Sequence, residues 1–295
     1  MKNNILIFCP SWEERSWLGF YKNCDDISIK HVIAIKKRNP INGGYIDNCI
    51  KKIEQYCSDK HINYEELIWD DNPSHDWRNL SCYFDNFTIN ECIYLDITTM
   101  PRDIIWTLLF FLNQKDSTIN IRYYQPESYN DTWLSKEPVA PRFLLKHSGI
   151  MELGKPTCAV IITSFDEERT KQIVSKFEPQ KVVLCVQSGQ QFSNHNRNLS
   201  DKHEYICKEL GITDITTIEF NSFSEDFGEK ALDNIINSLS DFNIIVASFG
   251  PKPSSIGAYK VCEKHPEIAL CYVPCKEYNV KYCKGIGDLR TIRYK

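Results

Sequence analysis

The sequence predicts an α/β chain of two tandem Rossmann-like three-layer domains related by internal duplication, a pseudo-two-fold arrangement with the first repeat over 1–150 and the second over 151–295. Three observations predict it. The length of 295 residues is more than one core comfortably fills, because domains usually stop growing at roughly 100–200 residues. Apolar runs of strand length alternate with amphipathic runs of helix length, the signature of βαβ crossovers and a mostly parallel sheet. Three pairs of segments also recur in the same order.

The first pair is "ILIFCPSWEERS" at 5–16 with "AVIITSFDEERT" at 159–170, an apolar strand followed by Glu-Glu-Arg and a hydroxyl residue. The second is "IYLDITTMPRDII" at 93–105 with "IIVASFGPKPSSI" at 244–256, a strand, a small-residue turn and Pro followed by a base. The third is "RYYQPESYN" at 122–130 with "CYVPCKEYN" at 271–279, sharing Tyr-x-Pro and Tyr-Asn. The offset is 154 between Arg15 and Arg169, 150 between Pro101 and Pro251 and 148 between Pro126 and Pro274, so the register drifts by only a few residues. The joint falls near "HSGIMELGKP" at 147–156, where Gly149, Gly154 and Pro156 suit a linker.

The second half shows the element order most plainly. "AVIIT" reads as a strand, "FDEERTKQIVSKF" as a helix, "KVVLCV" as a strand, and "NLSDKHEYICKELG" as a helix with Gly211 just past its end. "ITTIEF" is a strand, "FGEKALDNIINSLS" a helix, "NIIVAS" a strand, "SSIGAYKVCEKH" a helix and "IALCYV" the last strand. In the first half "IIWTLLFFL" at 104–112 reads as a buried helix, and the tail "YCKGIGDLRTIRY" as a loop or a C-terminal hairpin.

Composition narrows the function classes. With 42% hydrophobic and 25% charged residues the chain has globular composition, and no run approaches the ~20 apolar residues of a membrane span. The start "MKNNILIFCP" lacks the h-region and cleavage site of a signal peptide, so a cytoplasmic protein is expected, with no membrane partner. The 13 cysteines are odd in number and mostly lie inside apolar runs, which reads as reduced thiols. A net charge of −4 offers no global attraction to a polyanion, and "IKKRNP" at 35–40 reads as a solvated strand end, so no nucleic-acid polymer is expected as partner. No cofactor and no metal is expected: Cys271, Cys275 and Cys283 lack a flanking histidine set, and His195 sits in a polar loop. Walker, G-x-G-x-x-G and G-x-S-x-G motifs are absent.

The recurring motifs sit where ligands collect in open α/β sheets, at the carboxyl ends of strands. Ser11 with Glu14 and Ser164 with Glu167 fit the capping box at a helix start. Arg15 and Arg169 need another account, since the helix dipole disfavours a base in the first turn; each either pairs with neighbouring acids or binds an anion. In the second motif Asp96, Thr98, Thr99 and Arg102, and in its copy Ser248, Gly250 and Lys252, have the parts of an anion cradle, the alternative being an ordinary capped loop. In the third, Tyr124, Tyr129 and Asn130, and Tyr272, Tyr278 and Asn279, either stack on a base or pack against the neighbouring half.

"SFGPKPSSIGA" after a buried strand, on a Rossmann-like unit, resembles the ligand motif of the CRISPR-associated Rossmann (CARF) domains, a strand followed by a Thr/Ser-Gly-Gly-Thr-Lys-like turn and a helix. Two such units in one chain resemble a fused CARF pair or the related SAVED sensors of bacterial antiviral systems. The resemblance places Ser248, Gly250 and Lys252 at the turn positions, with Thr98, Thr99 and Arg102 as partners from the other half. Phe249 stands where that family has a second small residue, and the first copy has no turn glycine.

The leading expectation is therefore a protein that binds a nucleotide or phosphorylated small molecule between the strand ends of the two halves, as a sensor or signalling component of bacterial antiphage defence with a possible protein partner from the same operon. Arg15, Arg102, Arg169 and Lys252 would hold phosphates, Ser11, Thr98, Thr99, Ser164, Ser248 and Gly250 would orient them, and Tyr129 and Tyr278 would meet the base. One alternative is a hydrolase that cleaves a nucleotide, at a phosphodiester or an N-glycosidic bond, with Asp96, Glu13 and Glu167 as acid/base candidates. Burial and pairing of Asp96, whose counterpart is Val246, would favour binding over catalysis. The other alternative is a partner-binding subunit with no small ligand.

Overall fold

The computed structural model describes residues 4–38, 40–87, 92–130, 133–188 and 198–295; His195 lies outside them. The chain divides into two compact units, residues 1–130 with 280–295, and residues 131–279.

In the first unit the run is β1 (Asn4–Phe8), α1 (Glu14–Asp26), β2 (Ile29–Lys37), α2 (Gly43–Asp59), β3 (Asn63–Trp69), α3 (Pro73–Asp85), β4 (Cys92–Asp96), α4 (Arg102–Asn113) and β5 (Thr118–Tyr124). Short strands β6 (Ser128–Tyr129), β7 (Ser135–Pro138) and β8 (Arg142–Ser148) follow. The second unit repeats the long run as β9 (Thr157–Ile162), α5 (Glu167–Phe177), β10 (Lys181–Gln187), α6 (Ser200–Glu209), β11 (Asp214–Phe220), α7 (Glu229–Asn237), β12 (Asn243–Ser248), α8 (Pro253–Lys264) and β13 (Ala269–Tyr272). The chain ends in β14 (Cys275–Tyr278), β15 (Cys283–Lys284) and β16 (Leu289–Arg293).

Each unit is built on a six-stranded sheet, β16-β5-β4-β1-β2-β3 in one and β8-β13-β12-β9-β10-β11 in the other. Read from these ends the two orders correspond strand for strand: an antiparallel edge and then five parallel strands. This is the doubly wound α/β class expected from the alternation of runs. The chain winds outward through β2 and β3, then returns past β1 to β4 and β5. Because crossovers are right-handed, the reversal sends the later helices to the opposite face of the sheet. Accordingly α1 packs with α2 and α3 with α4, as α5 does with α6 and α7 with α8.

Alternate residues of the central strands fill a layer under the helices. On one face of the first sheet, Leu6, Phe8, Val32 and Ala34 meet Phe20, Cys49, Ile53 and Cys57. In the second, Ala159, Ile161, Val182 and Leu184 meet Ile173, Val174 and Cys207. All 13 cysteines are free thiols. Cys57, Cys158 and Cys207 lie fully inside, where burial pushes their pKa values up, to about 11, about 12 and about 11.

The antiparallel edges cross over between the halves of the sequence. β8, which follows the first run, pairs with β13, and β16, which follows the second run, pairs with β5. The small ribbons do the same, β7 with β14 and β15 with β6. The division therefore differs from a single joint at 147–156: the chain changes unit at 130–131 and again at 279–280. The tail is not a hairpin, since β15 and β16 pair with separate strands of the first unit. The physical reason is that β5 and β13 each carry a row of edge amides and carbonyls that must be covered, and the covering strand comes from beyond the other run.

Truncation before Asp288 would remove β16 and bare the β5 edge from Asn120 to Tyr124. The expected outcome by calorimetry is a transition of the first unit lowered by roughly 5 °C or more, at about 2–4 °C per kcal/mol for units of this size, with the transition of the second unit unchanged.

Candidate functional site

In both sheets the winding direction reverses between two neighbouring parallel strands, β1 and β4 in the first unit and β9 and β12 in the second. Such a switch point leaves a crevice outside the carboxyl ends of the strands, because the following helices diverge to opposite faces. The turns that carry the first two repeated motifs flank it in each unit.

In the first unit the β4 turn is tied to the β1 turn by the Thr99 hydroxyl, which donates to the Cys9 carbonyl at 2.8 Å. Thr98 Oγ1 accepts from the Tyr124 amide at 2.9 Å, bracing the turn on β5. Asp96 is 5% exposed. Its Oδ1 accepts from the Thr98 amide at 2.8 Å and its Oδ2 from Asn23 Nδ2 at 2.7 Å. Asn23 in turn accepts from the Tyr124 hydroxyl at 3.2 Å. Burial pushes the Asp96 carboxyl up, and the bonds from Thr98 and Asn23 oppose that shift. Asp96, on which the choice between binding and cleavage turns, is thus buried and paired.

In the second unit the amides of Phe249 and Gly250 both donate to the Ile162 carbonyl, at 2.8 and 3.1 Å, pinning the β12 turn onto β9. A side chain at Gly250 would meet the Thr163 carbonyl and the Ile162 side chain at 3.0 Å, so the close approach requires glycine or a shift of its neighbours. These two amides are thus spent within the turn. The hydroxyls of Ser248 and Ser254 bond one another at 2.8 Å in the interior. Lys252, just before α8, and Arg102, the first residue of α4, stand at equivalent helix starts and are part-exposed.

The capping boxes do not form. Helices α1 and α5 begin at Glu14 and Glu167 themselves, with Glu13 and Asp166 at the cap position and no side-chain cap bond, so the glutamates start too early to reach back across a turn. Ser11 is buried and its amide donates to Ser16 Oγ at 3.0 Å, while Ser164 Oγ accepts from the Asp166 amide at 3.1 Å. Glu167 is part-exposed, 3.9 Å from Lys202.

The two first-turn arginines are buried, Arg15 at 2% and Arg169 at 4% exposure. Arg15 donates to both sides of a single acceptor, Glu13 Oε2, and to the Tyr124 carbonyl at 2.9 Å and the Tyr282 hydroxyl at 3.1 Å. Tyr282 itself donates to Glu13 at 3.0 Å. Burial draws the Arg15 pKa down, but Glu13 and Tyr282 more than offset it and hold the pKa well above the usual range. Arg169 lies 3.3 Å from Asp166 and donates to the hydroxyls of Ser135 at 3.2 Å and Tyr278 at 3.3 Å. The pairing alternative therefore describes both arginines in this structure. Tyr129 lies in β6 with its ring 6.2 Å from that of Tyr282. Asn130 donates its amide to the Tyr282 carbonyl at 2.8 Å, and Asn279 likewise to Leu134 at 3.0 Å. The Tyr-Asn motif thus holds the exchanged segments.

The sequence reading passed over His203. It is 1% exposed, with Nδ1 2.9 Å from Thr170 Oγ1 and Nε2 3.1 Å from the Ser164 carbonyl and 3.2 Å from Asn198 Oδ1. Facing two oxygens, Nε2 carries the proton and Nδ1 accepts from the threonine. The ring thereby ties α6 to the β9 turn. The only sequence signal was a histidine on the apolar face of a helix.

Burial lowers the His203 pKa below its ordinary 6.5, so the unfolded chain takes up the proton first as pH falls. Its contribution is fully present above about pH 6.5 and is lost as pH drops toward the folded value. Urea denaturation between about pH 7 and pH 5 should show a steeper loss of stability in the wild type than in His203→Gln; parallel slopes would remove the assignment.

No protein-family model and no curated protein matches the sequence. Among solved structures the chain is similar to a Type III CRISPR defence DNA nuclease activated by cyclic oligoadenylate, with a TM-score of 0.56 and 6% identity over 88% of this chain and 64% of that one. This chain spans less than two thirds of that nuclease, and at this identity the likeness is one of fold. It also aligns with the cytoplasmic domain of a prokaryotic cation chloride cotransporter, at TM-score 0.29 and 10% identity over 95% of this chain and 99% of that one. A periplasmic ribose ABC transporter from Conexibacter woesei DSM 14684 aligns at 0.27 and 9% identity over 89% and 69%. Neither score is high enough to bear on the fold.

Proposed function

We propose that this chain is a cytoplasmic nucleotide-binding or phosphorylated-ligand-binding protein, acting as a sensor or signalling component of bacterial antiviral defence and holding its ligand at the switch-point turns. The observation that carries the reading is the placement of a base at the start of the helix after the switch-point strand in both units, Arg102 on α4 and Lys252 before α8. A cation there opposes the helix dipole by about 0.3–1 kcal/mol, and an anionic ligand reverses the sign of that term. The resemblance of the Ser248–Lys252 turn to the CARF motif points the same way, as does the fold shared with a nuclease activated by cyclic oligoadenylate. A nucleotide carries both the phosphate that these bases suit and a base for part-buried tyrosines to meet.

Burial and pairing of Asp96 favour binding over cleavage, because a carboxylate held by Asn23 and the Thr98 amide has no open face toward a substrate. Glu13 is likewise consumed by Arg15. No observation favours the hydrolase or the ligand-free partner subunit over this reading.

Thermal shift against mono-, di- and cyclic nucleotides tests it. A ligand at 100 times its Kd stabilises the native state by about 2.7 kcal/mol, or roughly 5–11 °C for units of this size. The expected result is a rise lost in Lys252→Ala and Arg102→Ala, with the ligand recovered intact by chromatography. A degraded ligand would replace sensing by cleavage, and no response across the panel would leave the partner-binding role.

A further inference from the structure

We propose that Asp70, His75 and Asp76 form a binding site for a divalent transition-metal ion in the first unit, at the turn between β3 and α3. One carboxylate or imidazole ligand atom from each residue lies within 4.8 Å of the others, and His75 Nδ1 is 2.8 Å from Asp70 Oδ2. The local sequence builds this juxtaposition. Asn72 caps α3 by accepting from the His75 amide at 3.2 Å, and Pro73 opens the helix, which together set the first turn in place. Asp71 takes the left-handed conformation at φ 60° and turns the chain from strand to helix. Asp70 thereby faces His75 and Asp76 across the turn.

An independent observation points to a ligand. Asp76 is 1% exposed and its Oδ1 accepts from the Asp70 amide at 2.7 Å, yet its Oδ2 is buried with no hydrogen-bond partner among the described residues. A buried acceptor without a partner costs about 1–3 kcal/mol, more for a charged group. Asp76 gives one oxygen to this cluster, and the two oxygens of a carboxylate stand about 2.2 Å apart, so the orphaned atom borders it. A cation among the three would satisfy it. Around the three residues, Arg38 bonds both oxygens of the Asp70 carboxylate, closely at Oδ1 and at 3.4 Å at the Oδ2 that faces His75, and Lys37 pairs with Asp71 at 2.9 Å while Trp69 Nε1 donates to Asp71 at 3.2 Å. These contacts orient acidic groups from outside, as second-layer partners do in metal sites.

One imidazole and two carboxylates suit zinc, manganese, iron(II) or cobalt(II), whereas calcium takes six to eight oxygens. Ligand atoms about 2.0–2.2 Å from a common tetrahedral ion stand roughly 3.3–3.6 Å apart. His75 and Asp70 would open by about half an ångström to admit it, a movement that the half-exposed His75 side chain allows. Three protein donors leave a further position for water or an anion. The site lies on the carboxyl edge of the parallel sheet, two strand spacings or about 10 Å from β1. The corresponding turn of the second unit, 221–228 by the equivalent β2–β3 and β10–β11 registers, has Asn221, Asp226 and Phe227 at the positions of Asp70, His75 and Asp76, with no histidine, and Asp226 there accepts from the Gly228 and Lys230 amides. The site is therefore a property of the first unit only.

The test is calorimetric titration of the chelator-stripped full chain with zinc, and visible d–d spectra with cobalt(II). One ion per chain is expected, with affinity reduced at least 100-fold in His75→Ala and in Asp76→Asn and retained in His265→Ala, a surface histidine also flanked by acids. Zinc should raise the thermal midpoint of the wild type but not of His75→Ala, whose half-exposed side chain makes that variant foldable even where Asp76→Asn is not. No saturable one-to-one binding, or binding equal in His75→Ala and wild type, would overturn the site and leave the cluster as an ion-pair network.

Discussion

The contact on which both units depend is the buried arginine in the first turn after the first strand, closed on an acid and on a segment from beyond the other half of the sequence. Arg15 with Glu13 takes the hydroxyl of Tyr282, and Arg169 with Asp166 takes that of Ser135. Neither ion can stay buried alone, since removing one partner of such a pair costs about 3–5 kcal/mol. A guanidinium has five donors in a fixed fork, too many for one carboxylate to satisfy. The remaining donors reach for the exchanged segment, and so an ion pair inside one unit fixes where the incoming chain must lie. Asn130 and Asn279 complete the hold by bonding the backbone of the same segments.

This constraint explains why the turns are less open than their composition implies. The first motif is consumed by the clamp, and in the second the amides of Phe249 and Gly250 are consumed by the Ile162 carbonyl. The second motif also places a base at the helix start in each unit, Arg102 on α4 and Lys252 before α8. The two units differ here in kind. In the first, Asp96 sits inside a network of Asn23, Tyr124 and Arg122, the last anchored on Asp26 at 2.6 Å, which stiffens the crevice wall with buried polar bonds. In the second, the strand registers place Ser248 rather than Val246 at the equivalent position, its hydroxyl bonded to that of Ser254 in the interior, and the crevice is shaped by glycine instead.

The parallel core was legible in the sequence because each of its parts is local. Strand alternation, Gly211 at a helix end with φ 84°, and the apolar run that becomes α4 are decided within a dozen residues. The exchange of edge strands was not legible, because "RFLLKHS" and "LRTIR" carry the same half-buried pattern whichever sheet receives them. Pairing across more than a hundred residues leaves no mark in a single sequence. The capping boxes misled for a related reason: the spacing of serine and glutamate was right, but the helices start two or more residues later than the motif requires. For Arg15 and Arg169 the sequence exposed the anomaly, a base against the dipole, without showing which acid would answer it.

The exchanged segments also bear on how a ligand would be felt. β6 and β15 carry Tyr129 and Cys283, while Arg15 holds the adjacent Tyr282; β7 and β14 carry Ser135 and Tyr278, both held by Arg169. Each arginine lies one helical turn or less from the turn that ends the first strand, and that strand forms one wall of the crevice. An anion drawn to the bases at the second wall would add negative potential close to a guanidinium whose partners beyond its acid include hydroxyls of the exchanged segments, Tyr282 for Arg15 and Ser135 and Tyr278 for Arg169. A neutral hydroxyl bond to a guanidinium is weaker than the carboxylate pair beside it, so those bonds would respond first. Such a response would change how firmly the crossing segments are held while leaving the parallel core untouched.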